Sequence, residues 1–208
     1  VSRLRSRIGL TVRSPFERPD LTESFVYFPM HAQPESSTYV MAQEFMDQFG
    51  LIKQLARSLP ISHRLYVKDH PRMLRDNPRP TAAYRELAEL PNVRLIDSSF
   101  DSHALTRASD CVVTVTGTPG FEAAMLETPS ILVGPAHFDV LDSVIRCGRP
   151  AAFDDAVEAA LSSEPDRGPQ LERYLTALFA RSVDPGTDIR AAPTEKQRSF
   201  GAEVAVEF

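Results

Sequence analysis

Five short apolar runs, spaced along the chain with helical or loop-like sequence between them, constrain this protein more than any other feature. The runs are Phe25-Val26-Tyr27-Phe28, Leu65-Tyr66-Val67, residues 93–96, Cys111-Val112-Val113-Thr114-Val115 and Ser130 to Val133. A strand wet on one face alternates apolar with polar residues, whereas a short continuous run needs cover on both faces, as in a parallel sheet between two helix layers. Between the first two runs, Phe45, Phe49, Ile52, Leu55, Ala56 and Leu59 recur at spacings of three and four. That spacing predicts one or two amphipathic helices over residues 39–59, with Gly50 as a break and Pro60 as the end. Further helices are predicted over residues 82–90, over Ser102–Ala108 with Asp101 as its cap, and from the turn at 116–120 through Glu127. Two more are predicted over residues 154–161 and 170–181. Strands alternating with helices predict an α/β fold: a Rossmann-like parallel sheet with helices on both faces.

At roughly 100–200 residues per domain, 208 residues hold one domain with appendages or two small ones. Residues 1–24 carry arginine and proline without periodicity and are read as a lead-in or linker. Residues 25–183 form the expected domain, and residues 184–208, rich in proline, glycine and charge, the expected flexible tail. A formal net charge of -5 argues against a general nucleic-acid binder, which needs a positive field over the phosphates. Cys111 and Cys147 lie in no metal or redox spacing and suit a reducing compartment. No apolar run approaches the roughly 18–20 residues of a membrane span. The expectation is a cytoplasmic protein, with peripheral association at the inner membrane face as an alternative.

Parallel sheets bind ligands beyond the carboxyl ends of their strands. That directs attention to the loops at 31–38, 68–71, 97–101, 116–120 and 134–139. Thr116-Gly117-Thr118-Pro119-Gly120 follows the most apolar run and opens a helix, so its hydroxyls, its N–H groups and the helix dipole suit a phosphate. The alternative is a plain strand-to-helix turn with Thr118 as N-cap and Pro119 first in the helix. Glu122, one turn in, either accepts from ribose hydroxyls or complements the dipole. Lys68, His70 and Pro71 end another strand and offer a cation, two ring nitrogens and a fixed turn. The loop holding His31, Gln33 and Glu35 is dense in hydrogen-bonding side chains and suggests substrate contact, while Ser36, Ser37 or Thr38 suits a helix cap. There is no G-x-S-x-G elbow, P-loop, G-x-G-x-x-G or D-x-D, and no zinc-ligand cluster. Any phosphates must then be met by backbone N–H groups and side chains, with no metal and no cofactor expected.

The ordered blocks Phe25-Val-Tyr-Phe-Pro-Met-His31-Ala-Gln33-Pro-Glu35, Leu65-Tyr-Val-Lys68-Asp-His70-Pro71, Pro91-Asn92-Val93 and Thr114-Val-Thr116-Gly117-Thr118-Pro-Gly120-Phe-Glu122 together resemble the capsule polysaccharide biosynthesis proteins. That group includes Kdo (3-deoxy-manno-octulosonate) transferases, and the resemblance covers roughly residues 25–145. It implies a GT-B glycosyltransferase represented by its C-terminal, donor-binding half. It implies a nucleotide-sugar donor, CMP-Kdo or similar, held without metal by His70, Pro71, Thr116, Gly117 and Thr118, with Glu122 at the ribose. It further implies a polysaccharide or glycolipid acceptor. The acceptor-binding domain of such an enzyme has no counterpart in residues 1–24, so the expectation is a fragment, a truncated gene product or one half of a split enzyme whose partner chain supplies that domain, with little sugar transfer by this chain alone. His31 and Glu35 are the local candidates for catalysis, with Gln33 and Lys68 at the substrate. Two other readings stay open: a UDP-sugar 2-epimerase-like enzyme of the same fold, and a non-catalytic nucleotide- or glycan-binding subunit.

Overall fold

The computed structural model describes residues 14–163 and 169–181. Among them seven strands form one sheet: β1 (Phe16–Glu17), β2 (Phe25–Pro29), β3 (Arg64–Lys68), β4 (Val93–Ile96), β5 (Cys111–Thr114), β6 (Ser130–Leu132) and β7 (Val144–Arg146). Their order is β1-β4-β3-β2-β5-β6-β7, and every pairing is parallel. The five apolar runs are the five central strands. From β2 the chain builds outward through β3 and β4, with the earlier β1 added at that edge, and from β5 outward through β6 and β7, so the topological switch point lies between β2 and β5.

Two core layers follow from the pleat. Val26, Phe28, Leu65, Val67, Val113 and Ile131 face one way and pack on α2 (Gln48–Ser58), α4 (Thr81–Ala88) and α7 (Phe153–Ser162), through Ile52, Leu55, Leu87, Phe153 and Val157. Phe25, Tyr27, Tyr66, Ile96 and Val112 face the other way, against Leu105 of α5 (Ser102–Ala108) and Ala123 of α6 (Thr118–Met125). Fully burying one such side chain is worth about 1.5–3 kcal/mol, so covering both faces decides the fold class.

Several local expectations are corrected. A strand, Phe16–Glu17, lies inside the segment read as lead-in and pairs with Leu95 and Ile96 at the sheet edge. Gly50 does not break the helix. It sits in the first turn of α2, where its N–H donates to the Asp47 cap at 2.9 Å and a Cβ would strike that carboxylate. Residues 39–59 hold the end of the short α1 (Ser36–Tyr39), a 3-10 turn at Gln43–Phe45 and then α2. No serine or threonine caps α1; its N-cap is Glu35, without a side-chain bond. Pro71 opens an unforeseen helix, α3 (Pro71–Asp76), and β7 was also unforeseen. The chain divides after Leu171. The described residues of the second unit are helical, the end of α8 (Pro169–Arg181). The expected tail at 184–208 lies outside the described residues. No helix among the described residues is long and apolar enough to cross a membrane.

Candidate functional site

Beyond the carboxyl ends of β2, β3 and β5, at the switch point, a cleft of about 460 Å³ opens. His31, Glu35, Lys68, His70, Pro71, Thr116, Gly117, Thr118 and Glu122 all line it. Three segments distant in sequence therefore meet at one place because parallel strands deliver their carboxyl ends to one edge.

His31 is buried and its ring reaches across to the turn after β5. Its Nε2 accepts from the Thr116 N–H at 3.3 Å and lies 3.4 Å from Thr114 Oγ1. An accepting Nε2 in a neutral ring puts the proton on Nδ1, which lies 3.9 Å from the Glu35 carboxylate. Burial holds the His31 pKa below the usual histidine value; Glu35 opposes this, while His70 and Arg79 add to it. Gly117 makes the approach possible. A Cβ there would stand 2.9 Å from His31 Cε1 and 2.9 Å from Thr114 Oγ1.

The turn is a narrower anion seat than its sequence implies. The Thr116 N–H is spent on His31 and the Gly117 N–H on Thr114 Oγ1 at 3.2 Å. The N-cap of α6 is Gly117, not Thr118, and no side chain caps the helix. What faces the cleft is the first residue of an uncapped helix. Thr118 Oγ1 donates to Glu122 Oε1 at 3.2 Å, which fixes that carboxylate at the mouth, with His103 Nδ1 3.9 Å from its other oxygen. Thr116 Oγ1 is buried without a hydrogen-bond partner among the described residues.

His70 is the N-cap of α3, and its Nδ1 accepts from the Arg72 N–H at 3.2 Å. Capping through Nδ1 leaves Nε2 to carry the proton, so the exposed imidazole presents an N–H donor. Lys68 is nearly buried, and its Nζ donates to Ser102 Oγ at 2.6 Å. Burial lowers its pKa against the pull of Asp101 and Asp97. Tyr27, beside it, is pushed up to about 12 by burial, against a hydrogen bond with Ser102 and with help from Glu122 and Asp101.

Gln33 does not line the cleft. Its amide donates to the Met46 carbonyl at 2.9 Å and accepts from Arg79 at 2.6 Å, so it ties loops together. Sequence reasoning missed Tyr27, Ser102, His103 and Thr114 as lining residues. It also missed Asp69, whose oxygens accept from the His70 N–H at 2.7 Å, from Arg79 Nε at 3.2 Å and from the Tyr84 hydroxyl. Burial raises the Asp69 pKa, with Arg79 and Tyr84 pulling the other way. The inward face of a strand end carries no periodic signal, so only Asp69, beside the His-Pro pair, stood within reach of sequence. Among the described residues no three His, Cys, Asp or Glu side chains gather as a metal-binding group.

Residues 36–144, just over half of the chain, match the family model described as capsule polysaccharide biosynthesis protein. A comparison with curated proteins finds no match. Among solved structures, the UDP-GlcNAc 2-epimerase of Methanocaldococcus jannaschii superposes with a TM-score of 0.52 at 15% identity, over 85% of this chain and 49% of that one. MnaA of S. aureus, solved with UDP, gives 0.51 at 14% identity, over 78% and 48%. KpsC of Thermosulfurimonas dismutans, a beta Kdo 2,7 transferase, gives 0.49 at 17% identity, over 69% and 44%. The chain spans about half the length of these chains, and at such identities the likeness is one of fold.

Proposed function

Because the chain belongs to the capsule polysaccharide biosynthesis protein family, we propose that it is the donor-binding half of a glycosyltransferase that uses a nucleotide sugar, CMP-Kdo or a similar donor. The observation that carries this reading is the convergence, in one cleft at the switch point, of an uncapped helix start, the exposed His70 imidazole and the pinned Glu122 carboxylate. The donor phosphate sits against the Thr118 end of α6, where the helix dipole favours an anion. His70 Nε2–H donates to it, and Glu122 accepts from the ribose hydroxyls. The orphaned Thr116 hydroxyl supports a ligand at this wall, since buried polar atoms are rarely left unpaired.

The transfer is an inverting displacement. An acceptor hydroxyl attacks the anomeric carbon, the bond to the phosphate oxygen breaks, and the electron pair leaves on the nucleotide. Charge growing on that phosphate is stabilised by the helix start and His70. The acceptor proton goes to Glu35, whose side chain is 46% exposed at the cleft mouth. His31 holds the turn in place, because its accepting nitrogen is already bonded to Thr116. A polysaccharide or glycolipid acceptor, presented by an acceptor-binding domain, completes the reaction. No metal takes part in donor binding.

Calorimetry tests this directly. CMP is expected to bind, His70→Ala to weaken it by about 1–3 kcal/mol through loss of a hydrogen bond to a charged group, and EDTA to leave the affinity unchanged. Equal CMP affinity in His70→Ala removes His70 from the site, and loss of affinity in EDTA refutes the metal-free seat. A chain stabilised to heat by UDP and not by CMP turns the reading to sugar 2-epimerase chemistry.

A further inference from the structure

Arg79 does not touch the cleft, yet it grips two of the loops that build it. It lies in the segment Asn77-Pro78-Arg79-Pro80, between α3 and α4. Its guanidinium donates through Nε to Asp69 Oδ2 at 3.2 Å, through Nη1 to Gln33 Oε1 at 2.6 Å and through Nη2 to the His31 carbonyl at 2.6 Å. Its charge centre lies 5.7 Å from the centroid of the Phe49 ring. Its neighbour Asn77 donates to the Gln33 carbonyl at 3.1 Å. Asp69 in turn takes the His70 N–H at 2.7 Å. One side chain thus joins the loop after β2, which carries His31 and Gln33, to the loop after β3, which carries Asp69 and His70.

The ion pair is buried, with 8% of the Arg79 side chain and 0% of the Asp69 side chain exposed. A buried pair is poor value as a stabiliser, since apolar residues of similar volume often hold a core as well or better. Apolar residues have no means of fixing a backbone carbonyl and a backbone N–H on two separate loops. The planar fork of an arginine does, through three separate nitrogens, whereas the donors of a lysine all radiate from one. The histidines that depend on these backbones use opposite nitrogens: His31 accepts through Nε2 from Thr116, and His70 accepts through Nδ1 from Arg72.

We propose that Arg79 is the positioning residue of this cleft, holding His31 and His70 in opposite tautomers and so setting the turn and the imidazole donor that a ligand meets. Its effect on nucleotide affinity rests on the donor-binding reading above; its effect on the histidines does not.

The test is nitrogen NMR of the imidazoles in the ligand-free full chain at neutral pH, with His31→Gln and His70→Gln for assignment, alongside CMP calorimetry. Wild type should show His31 protonated on Nδ1 and His70 on Nε2. Arg79→Lys should shift the His31 signals toward an average of the two tautomers and weaken CMP binding at least tenfold, beyond any fall in melting temperature. A folded Arg79→Lys chain with both tautomers unchanged overturns the proposal. Should that variant not fold, Gln33→Ala removes one grip without stranding a charge, and an unchanged His31 tautomer there overturns it equally. Shifted tautomers in a chain whose wild type binds no CMP uphold the role of Arg79 and refute the nucleotide reading alone.

Discussion

Replacing Gly117 by alanine isolates what holds the cleft together. The residue has φ -81, a backbone that alanine adopts freely, so no conformational strain is introduced. The obstacle is space. The new methyl would stand 2.9 Å from His31 Cε1, 2.9 Å from Thr114 Oγ1 and 3.0 Å from Pro119 Cδ, so at least one must retreat. Where His31 is the one displaced, the bond between its Nε2 and the Thr116 N–H breaks. Overpacking of this kind costs about 1–3 kcal/mol. At roughly 2–4 °C per kcal/mol for a domain of this size, the melting temperature should fall by about 2–12 °C. Gly148→Ala is the matched control, because its φ is +63 and nothing lies within 4 Å of the added Cβ. It should cost about 1–2 kcal/mol through the left-handed backbone alone and leave CMP affinity as it was. Urea denaturation and calorimetry on both variants separate the two causes. The cycle closes with His31→Ala, which should cost less in the Gly117→Ala background than in wild type, since it removes the clashing ring. Strictly additive costs, or a Gly117→Ala chain with wild-type stability and affinity, would refute the reasoning.

Two further outcomes follow from the site. Burial depresses the His31 pKa in the folded chain, so between that value and the unfolded one, near about 6.5, only the unfolded chain carries the proton. The corresponding stability is present above the unfolded pKa and is lost as pH falls below it. The melting temperature of wild type should therefore drop more steeply from pH 7 to 5 than that of His31→Gln, and parallel profiles would contradict this. For Glu122, pinned by Thr118 at 3.2 Å, CMP should bind better than deoxy-CMP in wild type and the preference should shrink in Glu122→Gln. The same preference in both proteins would reduce Glu122 to a helix-start charge.

Much of the site was legible because its residues are punctuation as well as chemistry. His70-Pro71 and Thr116-Gly117-Thr118-Pro119-Gly120 interrupt apolar runs, and an interruption at a strand end is visible in one dimension. Nine of the ten residues singled out from sequence line one cleft. Gln33 stood in the same dense loop and was misplaced, because loop density does not say which way a side chain points. Arg79 carried no signal: a lone arginine between prolines reads as solvated, and only three partners from distant loops make it buried.

By itself the sequence determined the fold class, since continuous apolar runs of strand length, separated by helix-length stretches, can be covered on both faces only by a parallel sheet between helices. It also determined that the polar loops share an edge, because parallel strands all end the same way. Only the tertiary structure decided strand order, and with it the switch point between β2 and β5 that brings His31 against Thr116. Tertiary contacts also decided that the turn spends two of its N–H groups inward, that Lys68 is held by Ser102, and that β1 and β7 exist at the edges. Those outcomes depend on hydrogen bonds between residues up to 85 positions apart, and no local pattern encodes which partner a polar group will meet once the chain has closed around it.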